Sequence, residues 1–343
     1  MKNVAFITRS DGKEKEIPEN DFNNLDAKLS GRVILPYDEA YGSATTACNG
    51  LLNTEPAVVV VCLNENDVLA SLEFARDLDM SVSVKGGGHS VSEKGLLERG
   101  MVVDVSAMNK VSLDKGKRQI TVGGGTTFDM INQVTEKFGL AVPSGFVSVM
   151  GVGGLSLRGG LGPLMRKHGL TCDSINSLNI ARADGTLLTV NGRENSELFW
   201  ALRGGSESLG VMTDITFDLH EIGPEVTRIH IGYPIQRGRE VLRRVEEYIN
   251  NAPPEVGLNV YYGNLAAAAS VGPGTSGATG GSGATGSPGA SGAPGGAANQ
   301  DAIIIYGLYF GPAADGETRV LDPLRKIDTP IFDETKRLPY SAA

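Results

Sequence analysis

Two stretches of this sequence combine residue types and spacing that can do chemistry. The first is Lys85-Gly86-Gly87-Gly88-His89-Ser90, three consecutive glycines followed by an imidazole and a hydroxyl. The second spans residues 151–162 and holds Gly151, Gly153, Gly154, Gly159, Gly160 and Gly162, interleaved with Val152, Leu155, Leu157 and Leu161. Glycine is required where the backbone takes positive φ or comes within contact distance of a ligand, and successive N–H groups in such loops form concave anion sites. Two loops of this kind can hold a pyrophosphate without any lysine. The same residues also suit tight turns in a glycine-rich scaffold, and pattern alone leaves both readings open. The common nucleotide signatures are missing: there is no GxxxxGK[ST], and the nearest approach to GxGxxG, starting at Gly151, has Ser156 where the last glycine belongs.

Other reactive side chains are sparse. Cys48, Cys62 and Cys172 are odd in number and irregular in spacing, which gives neither a disulfide framework nor a zinc pattern, so free reduced thiols are expected and no metal site. His168 and His220 read as structural. A formal charge of −9 lacks the concentrated Lys/Arg surface that phosphate neutralisation requires, which argues against a nucleic-acid partner. No apolar window reaches the length of a membrane span and the N-terminus has no signal-peptide core, so the sequence predicts a soluble, cytoplasmic protein.

The elements that must position the two loops follow from periodicity. Residues 57–62 (AVVVVC) read as a buried strand, followed by a helix in which Asn64 caps the start and Val68, Leu69, Leu72 and Ala75 share one face. A strand at 81–84 runs straight into the first glycine loop, and 101–105 is a third strand. This places the loop at a strand end, where α/β domains put ligands. A second series begins with a strand at 119–122 and a turn at Gly123-Gly124-Gly125. It continues with a helix at 127–138 stopped by Gly139, a hairpin at 179–190 turning on Asp184-Gly185, a short helix at 197–202 that packs Trp200 into the core, and a strand at 211–219. Beyond Gly223-Pro224, the pattern predicts a helix at 237–250, strands at 257–262 and 302–310, and a last helical stretch at 317–327 that Pro323 must kink or restart. Eleven of the 46 glycines fall in residues 272–298, a Gly/Ala/Ser/Thr/Pro segment with glycine at every third position from Gly274 to Gly295. Its composition predicts a disordered loop, with a collagen-like trimerising segment as the sharper alternative.

Several motifs occur together in order: KGGGHS at 85–90, GVGG at 151–154, GGLG at 159–162, RKHGL at 166–170 with Asp173, ADG at 183–185 and LFWALRGG at 198–205, preceded by GRVILP at 31–36. In this set the chain resembles the FAD-linked oxidases of the vanillyl-alcohol-oxidase/PCMH fold, in the berberine-bridge-enzyme-like branch. The likeness is strong over residues 30–222 and weak beyond. It implies an α+β fold: an N-terminal extension at 1–29, a two-lobed PCMH-type FAD-binding domain at 30–222, and a partial substrate domain at 223–343, with an antiparallel sheet, flanking helices and the disordered loop at 266–300.

The resemblance also assigns residues. It implies FAD as cofactor, held by Lys85, Gly86, Gly87, Gly88, His89, Ser90, Gly151, Gly153, Gly154, Gly159, Gly160, Gly162, Asp173 and Val211, with His89 bonded to the flavin 8α-methyl. Val147 stands where some relatives carry a second attachment cysteine, and Leu155 where a histidine is usual, so the linkage expected here is single. Ser206-Glu207-Ser208-Leu209 departs from the family's Gly-Gly-Asn-Phe. The reaction implied is oxidation of an alcohol, sugar or amine carbon by hydride transfer to flavin N5, with reoxidation by O2 or another acceptor. No catalytic base can be named: Tyr261, Tyr262, Tyr306 and Tyr309 lie on expected strands, where tyrosines ordinarily serve packing. Two further readings stay open, an FAD-binding chain without turnover and a trimeric structural protein organised by the glycine repeat.

Overall fold

A computed structural model describes residues 4–9, 11–205, 208–264 and 301–343. The chain divides into two compact units, Met1–Ile131 with Val149–Gly160 and Thr171–Leu219, and Asn132–Ser148 with Leu161–Leu170 and His220–Ala343.

The first unit contains two main sheets. In the smaller one, Val58–Val61, Met101–Asp104 and Val82–Lys85 run parallel and Arg32–Ile34 adds an antiparallel edge. Val58–Val61 is a continuous β-branched run because both of its faces are covered. Val58, Val60, Met101 and Val103 pack on Val68, Leu72 and Ala75 of the helix Glu65–Asp77, and Val59 and Val102 pack on Ile34, Ala44 and Leu96. The Asn64 side chain accepts the Asp67 N–H (3.1 Å), so the expected cap forms. Residues 4–29, expected as an extension, bring Ile7, Ile17, Phe22 and Leu25 into this same core. The larger sheet is antiparallel, in the order Leu187–Asn191, Ile175–Ala181, Val211–Asp218, Gln119–Gly123 and Val111–Asp114. Its first hairpin turns at Gly185, with φ +84°, as the Asp-Gly pair predicts.

In the second unit, Val256–Asn264, Asp301–Tyr309, Val226–Pro234 and Phe332–Asp333 form an antiparallel sheet, and Lys336–Leu338 also pairs with Val226–Pro234. The helix Gly238–Asn251 lays Val241 and Val245 on Ile229, Ile231, Tyr233, Ile303 and Ile305. Pro323 falls in the first turn of Asp322–Arg325, where a missing N–H costs nothing, so the last helical stretch restarts there. The central strand Val226–Pro234 was not evident from the sequence. Gly232 and Pro234 give it the punctuation of a loop, yet Gly232 is needed because a Cβ there would sit 2.1 Å from Phe332. The short helix Ser196–Leu202 corrects the expectation for Trp200: the helix turns Phe199 and Leu202 inward and leaves Trp200 75 % exposed. The glycine-repeat loop at 266–300 and Glu207 lie outside the described residues. No helix among the described residues is long and apolar enough to cross a membrane.

Candidate functional site

The first glycine loop leaves the C-terminal end of the parallel strand Val82–Lys85. Lys85 anchors the departure: its half-buried Nζ donates to the Ala44 carbonyl (2.6 Å) and pairs with the Asp104 carboxylate (3.5 Å). Beyond it Gly88 takes φ +70°, and its carbonyl accepts the Cys48 N–H (3.1 Å). The Ser90 hydroxyl turns to the Ser92 carbonyl (3.0 Å). Among the described residues, the backbone N–H groups of residues 86–90 find no acceptor. Five consecutive N–H groups without acceptors, on half-buried residues, are donors that an anion could accept from. His89 sits at the end of this run, itself half-buried.

The second glycine cluster meets the first backbone to backbone. A Cβ on Gly87 would lie 2.5 Å from the Gly151 nitrogen, and one on Gly151 would lie 2.6 Å from the Gly87 nitrogen. Gly151 caps the one-turn helix Val152–Ser156, which is fastened by Val152 N–H to the Thr126 carbonyl (2.9 Å) and Phe128 N–H to the Met150 carbonyl (3.2 Å). Gly153 faces Met212, at 3.2 Å from a notional Cβ, whereas Gly154 is exposed with nothing within 4 Å. The buried hydroxyls of Thr126 and Ser156 have no partner in this framework.

The remaining assigned positions are occupied differently. Gly159 and Gly160, at φ +100° and +86°, accept the Cys172 and Thr171 N–H groups, and a Cβ on Gly160 would strike Thr171. Gly162 belongs to the second unit, where a Cβ would collide with the Ser144 carbonyl. Gly123, Gly124 and Gly125 press on the carbonyls of Met108, Met212 and Val105. These glycines permit close approach of protein to protein. Asp173 lies in the 3-10 turn Thr171–Ser174, beside the buried Cys172 thiol, whose pKa is raised by burial and by Asp173. Val211 opens its strand and is buried against the parallel-sheet core.

The RKHGL motif has a structural role within the second unit. Arg166 donates to four carbonyls, of Ile249, Ala252, Pro253 and Val256, and so closes the C-terminus of the helix Gly238–Asn251. Lys167 pairs with Glu255 (3.1 Å), and His168 stacks on His220 with ring centroids 4.3 Å apart. Burial, with His220 and Lys167 beside it, holds the His168 pKa down to about 4. His230, by contrast, has a carboxylate partner: its Nδ1 lies 3.1 Å from Glu334. The two residues are 104 positions apart and no spacing signal joins them. Among the described residues no group of three or more His, Cys, Asp or Glu is placed to hold a metal.

Residues 56–191 match the family model of an FAD binding domain. An uncharacterized FAD-linked oxidoreductase of Bacillus subtilis, YgaK, is 35 % identical over 195 residues, which cover 55 % of this chain and 43 % of that protein. The (R)-6-hydroxynicotine oxidase of Paenarthrobacter nicotinovorans is 32 % identical over 194 residues, 57 % of this chain and 42 % of that protein. The chain thus spans less than half the length of either relative. Among solved structures, 6-hydroxy-D-nicotine oxidase from Arthrobacter nicotinovorans superposes with a TM-score of 0.78 at 23 % identity, covering 91 % of this chain and 62 % of that one. At that identity the likeness shows the fold.

Proposed function

We propose, from the premise that this chain belongs to the FAD-linked oxidoreductases and carries their FAD-binding domain at residues 56–191, that it oxidises a small molecule at an alcohol, amine or sugar carbon. The observation that carries the reading is the run of acceptor-free N–H groups at 86–90, at a strand end and against the Gly151 turn. FAD, when bound, supplies a two-electron acceptor that O2 or another oxidant regenerates. The chain's own part is to bind and orient. Residues 86–90 donate to the pyrophosphate. Lys85, already engaged with Ala44 and Asp104, serves by fixing the loop's departure. Gly154 keeps one wall free of side chains, Gly153 lets that turn approach Met212, and His89 carries the covalent attachment through a ring nitrogen. Gly159, Gly160, Asp173 and Val211 shape the scaffold of the first unit, and Gly162 serves the packing of the second. The hydroxynicotine oxidase among the relatives supports including amines among the donors.

The absorption spectrum of the purified protein tests the cofactor, and anaerobic mixing with a panel of alcohols, amines and sugars tests turnover. Bleaching of the flavin band by any donor supports the reading. A flavin-loaded protein that no donor bleaches refutes it in favour of an inert FAD-binding chain. Acid denaturation and filtration test His89: flavin retained with the protein is expected, and flavin passing wholly into the filtrate overturns the attachment.

A further inference from the structure

Arg228 carries a charge that no described residue neutralises. It lies on the strand Val226–Pro234, whose Ile229, Ile231 and Tyr233 face the helix Gly238–Asn251. Alternate residues of a strand point to opposite sides, so Val226, Arg228 and His230 share the other face. There Arg228 stands directly opposite Leu308, and Val226 and Leu308 pack with Ala141, Leu164, Phe310 and Tyr340, all residues of the second unit. Arg228 is only 8 % exposed, yet among the described residues its guanidinium has no hydrogen bond and no ion pair. Arg166, Arg325 and Arg337 of the same unit are each engaged, by four carbonyls, by Asp333 with Glu317, and by Glu225. An arginine lying along apolar surface ordinarily buries its stem and wets its head. Here the Nε itself is buried without an acceptor, and only the two Nη atoms keep contact with solvent. A buried charge left unpaired is costly, so this one calls for an anion.

Sheet register adds a second cation. Lys336 is the residue directly opposite Arg228 on the other neighbouring strand, it is exposed, and among the described residues it too has no ion pair. Like charges opposed in this way across antiparallel strands repel. The carboxylates that the chain places near this edge are committed elsewhere: Glu225 to Arg337 (3.1 Å), Asp333 to Arg325 (2.6 Å) and Glu334 to His230 (3.1 Å). The Ala343 carbonyl accepts the Tyr306 hydroxyl (2.7 Å). We propose that the Nη edge of Arg228, with Lys336 at its rim, binds an oxyanion, the carboxylate or phosphate group of a small molecule. A planar guanidinium offers two parallel N–H donors to either group, and the lysine adds a point charge on the exposed side. The bound anion supplies the missing charge and removes the repulsion between the two cations. The site lies wholly within the second unit and is independent of the oxidoreductase reading.

The test titrates the full chain with sodium phosphate and with sodium acetate, each against sodium chloride at matched ionic strength. The readout is the proton–nitrogen NMR signal of the Arg228 Nε–H, identified by its loss in Arg228→Lys, or in Arg228→Gln should the lysine variant fold poorly. A saturable movement of this signal is expected with at least one oxyanion and not with chloride. Movement at lower concentration of phosphate assigns a phosphate group, and at lower concentration of acetate a carboxylate. Lys336→Gln removes an exposed charge and is expected to weaken the apparent Kd by about two- to fivefold. A signal that moves with neither oxyanion, or that chloride moves equally, overturns the proposal. Phosphate held only at residues 86–90 leaves this signal in place and counts as the same refutation. An unchanged Kd in Lys336→Gln overturns the two-cation site.

Discussion

Gly87 and Gly154 lie in the two loops of one proposed cofactor site, and the structure assigns them opposite roles that alanine separates. At Gly87 the added Cβ would stand 2.5 Å from the Gly151 nitrogen and 2.9 Å from its Cα, against an ordinary contact of 3.4 Å or more. The loops must part by close to an ångström, and overpacking of that order costs about 1–3 kcal/mol. At roughly 2–4 °C per kcal/mol for a domain of this size, Gly87→Ala should lower the apoprotein melting temperature by several degrees. Gly154 is helical, exposed and has nothing within 4 Å, so alanine there removes chain entropy without strain. Gly154→Ala should stabilise the apoprotein by about 0.5–1 kcal/mol. If the bound flavin nucleotide occupies the space beside Gly154, the same methyl should weaken FAD by about 1–3 kcal/mol, a factor of roughly 5–150 in Kd. Apoprotein melting curves read the first effect, and fluorescence titration with FAD reads the second, in a His89→Ala background so that attachment does not mask affinity. An unchanged melting temperature for Gly87→Ala would contradict the back-to-back loops. Unchanged FAD affinity for Gly154→Ala would remove Gly154 from the site.

Three further outcomes follow from the described contacts. His168 has a folded pKa of about 4, below its unfolded value, so the stability it contributes is fully present above about pH 6.5 and is lost as pH falls toward 4. His168→Phe keeps an aromatic ring against Phe310 and should flatten melting temperature against pH across that window; an unaltered slope would exclude His168 as its source. Asp214 is half-buried beside Glu65, and burial together with that carboxylate raises its pKa, so its stabilising form is the protonated one and is lost as pH rises through the raised value. Asp214→Asn should therefore raise the melting temperature at pH 7, with a gain that shrinks toward pH 4; an equal gain at both pH values counts against the carboxylate pair. Arg166 serves four carbonyls at once, a planar fork that lysine cannot reproduce. Arg166→Lys should cost about 1–3 kcal/mol and speed hydrogen exchange in the last turn of the helix Gly238–Asn251; protection equal to wild type would show that the cap contributes nothing.

What the sequence made legible was local. Asn64 reads as a cap because its side chain needs only the N–H three residues on, and the strand over residues 58–61 needs only a β-branched run. Gly139 ends its helical stretch at φ +64° for the same kind of reason. Contacts between distant segments left weaker marks. Glycine spacing states that a side chain is forbidden without saying what forbids it. At Gly160 and Gly162 the obstacle is Thr171 or Ser144, at Gly87 and Gly151 it is the other glycine loop, and at Gly154 no protein atom stands in the way. Read as one cluster, these positions looked like a single wall around a ligand; in the structure most of them close the scaffold and only a few remain open. The strand Val226–Pro234 shows the converse. Its Gly232 and Pro234 mimic a loop because the sequence does not display Phe332 lying over Gly232, or the helix that gives Ile229, Ile231 and Tyr233 their buried face. With that strand unseen, Arg228 had no facing Lys336 and His230 no reason to lie near Glu334. Both pairings therefore depend on sheet register, which pairs residues by turn geometry and burial rather than by separation along the chain.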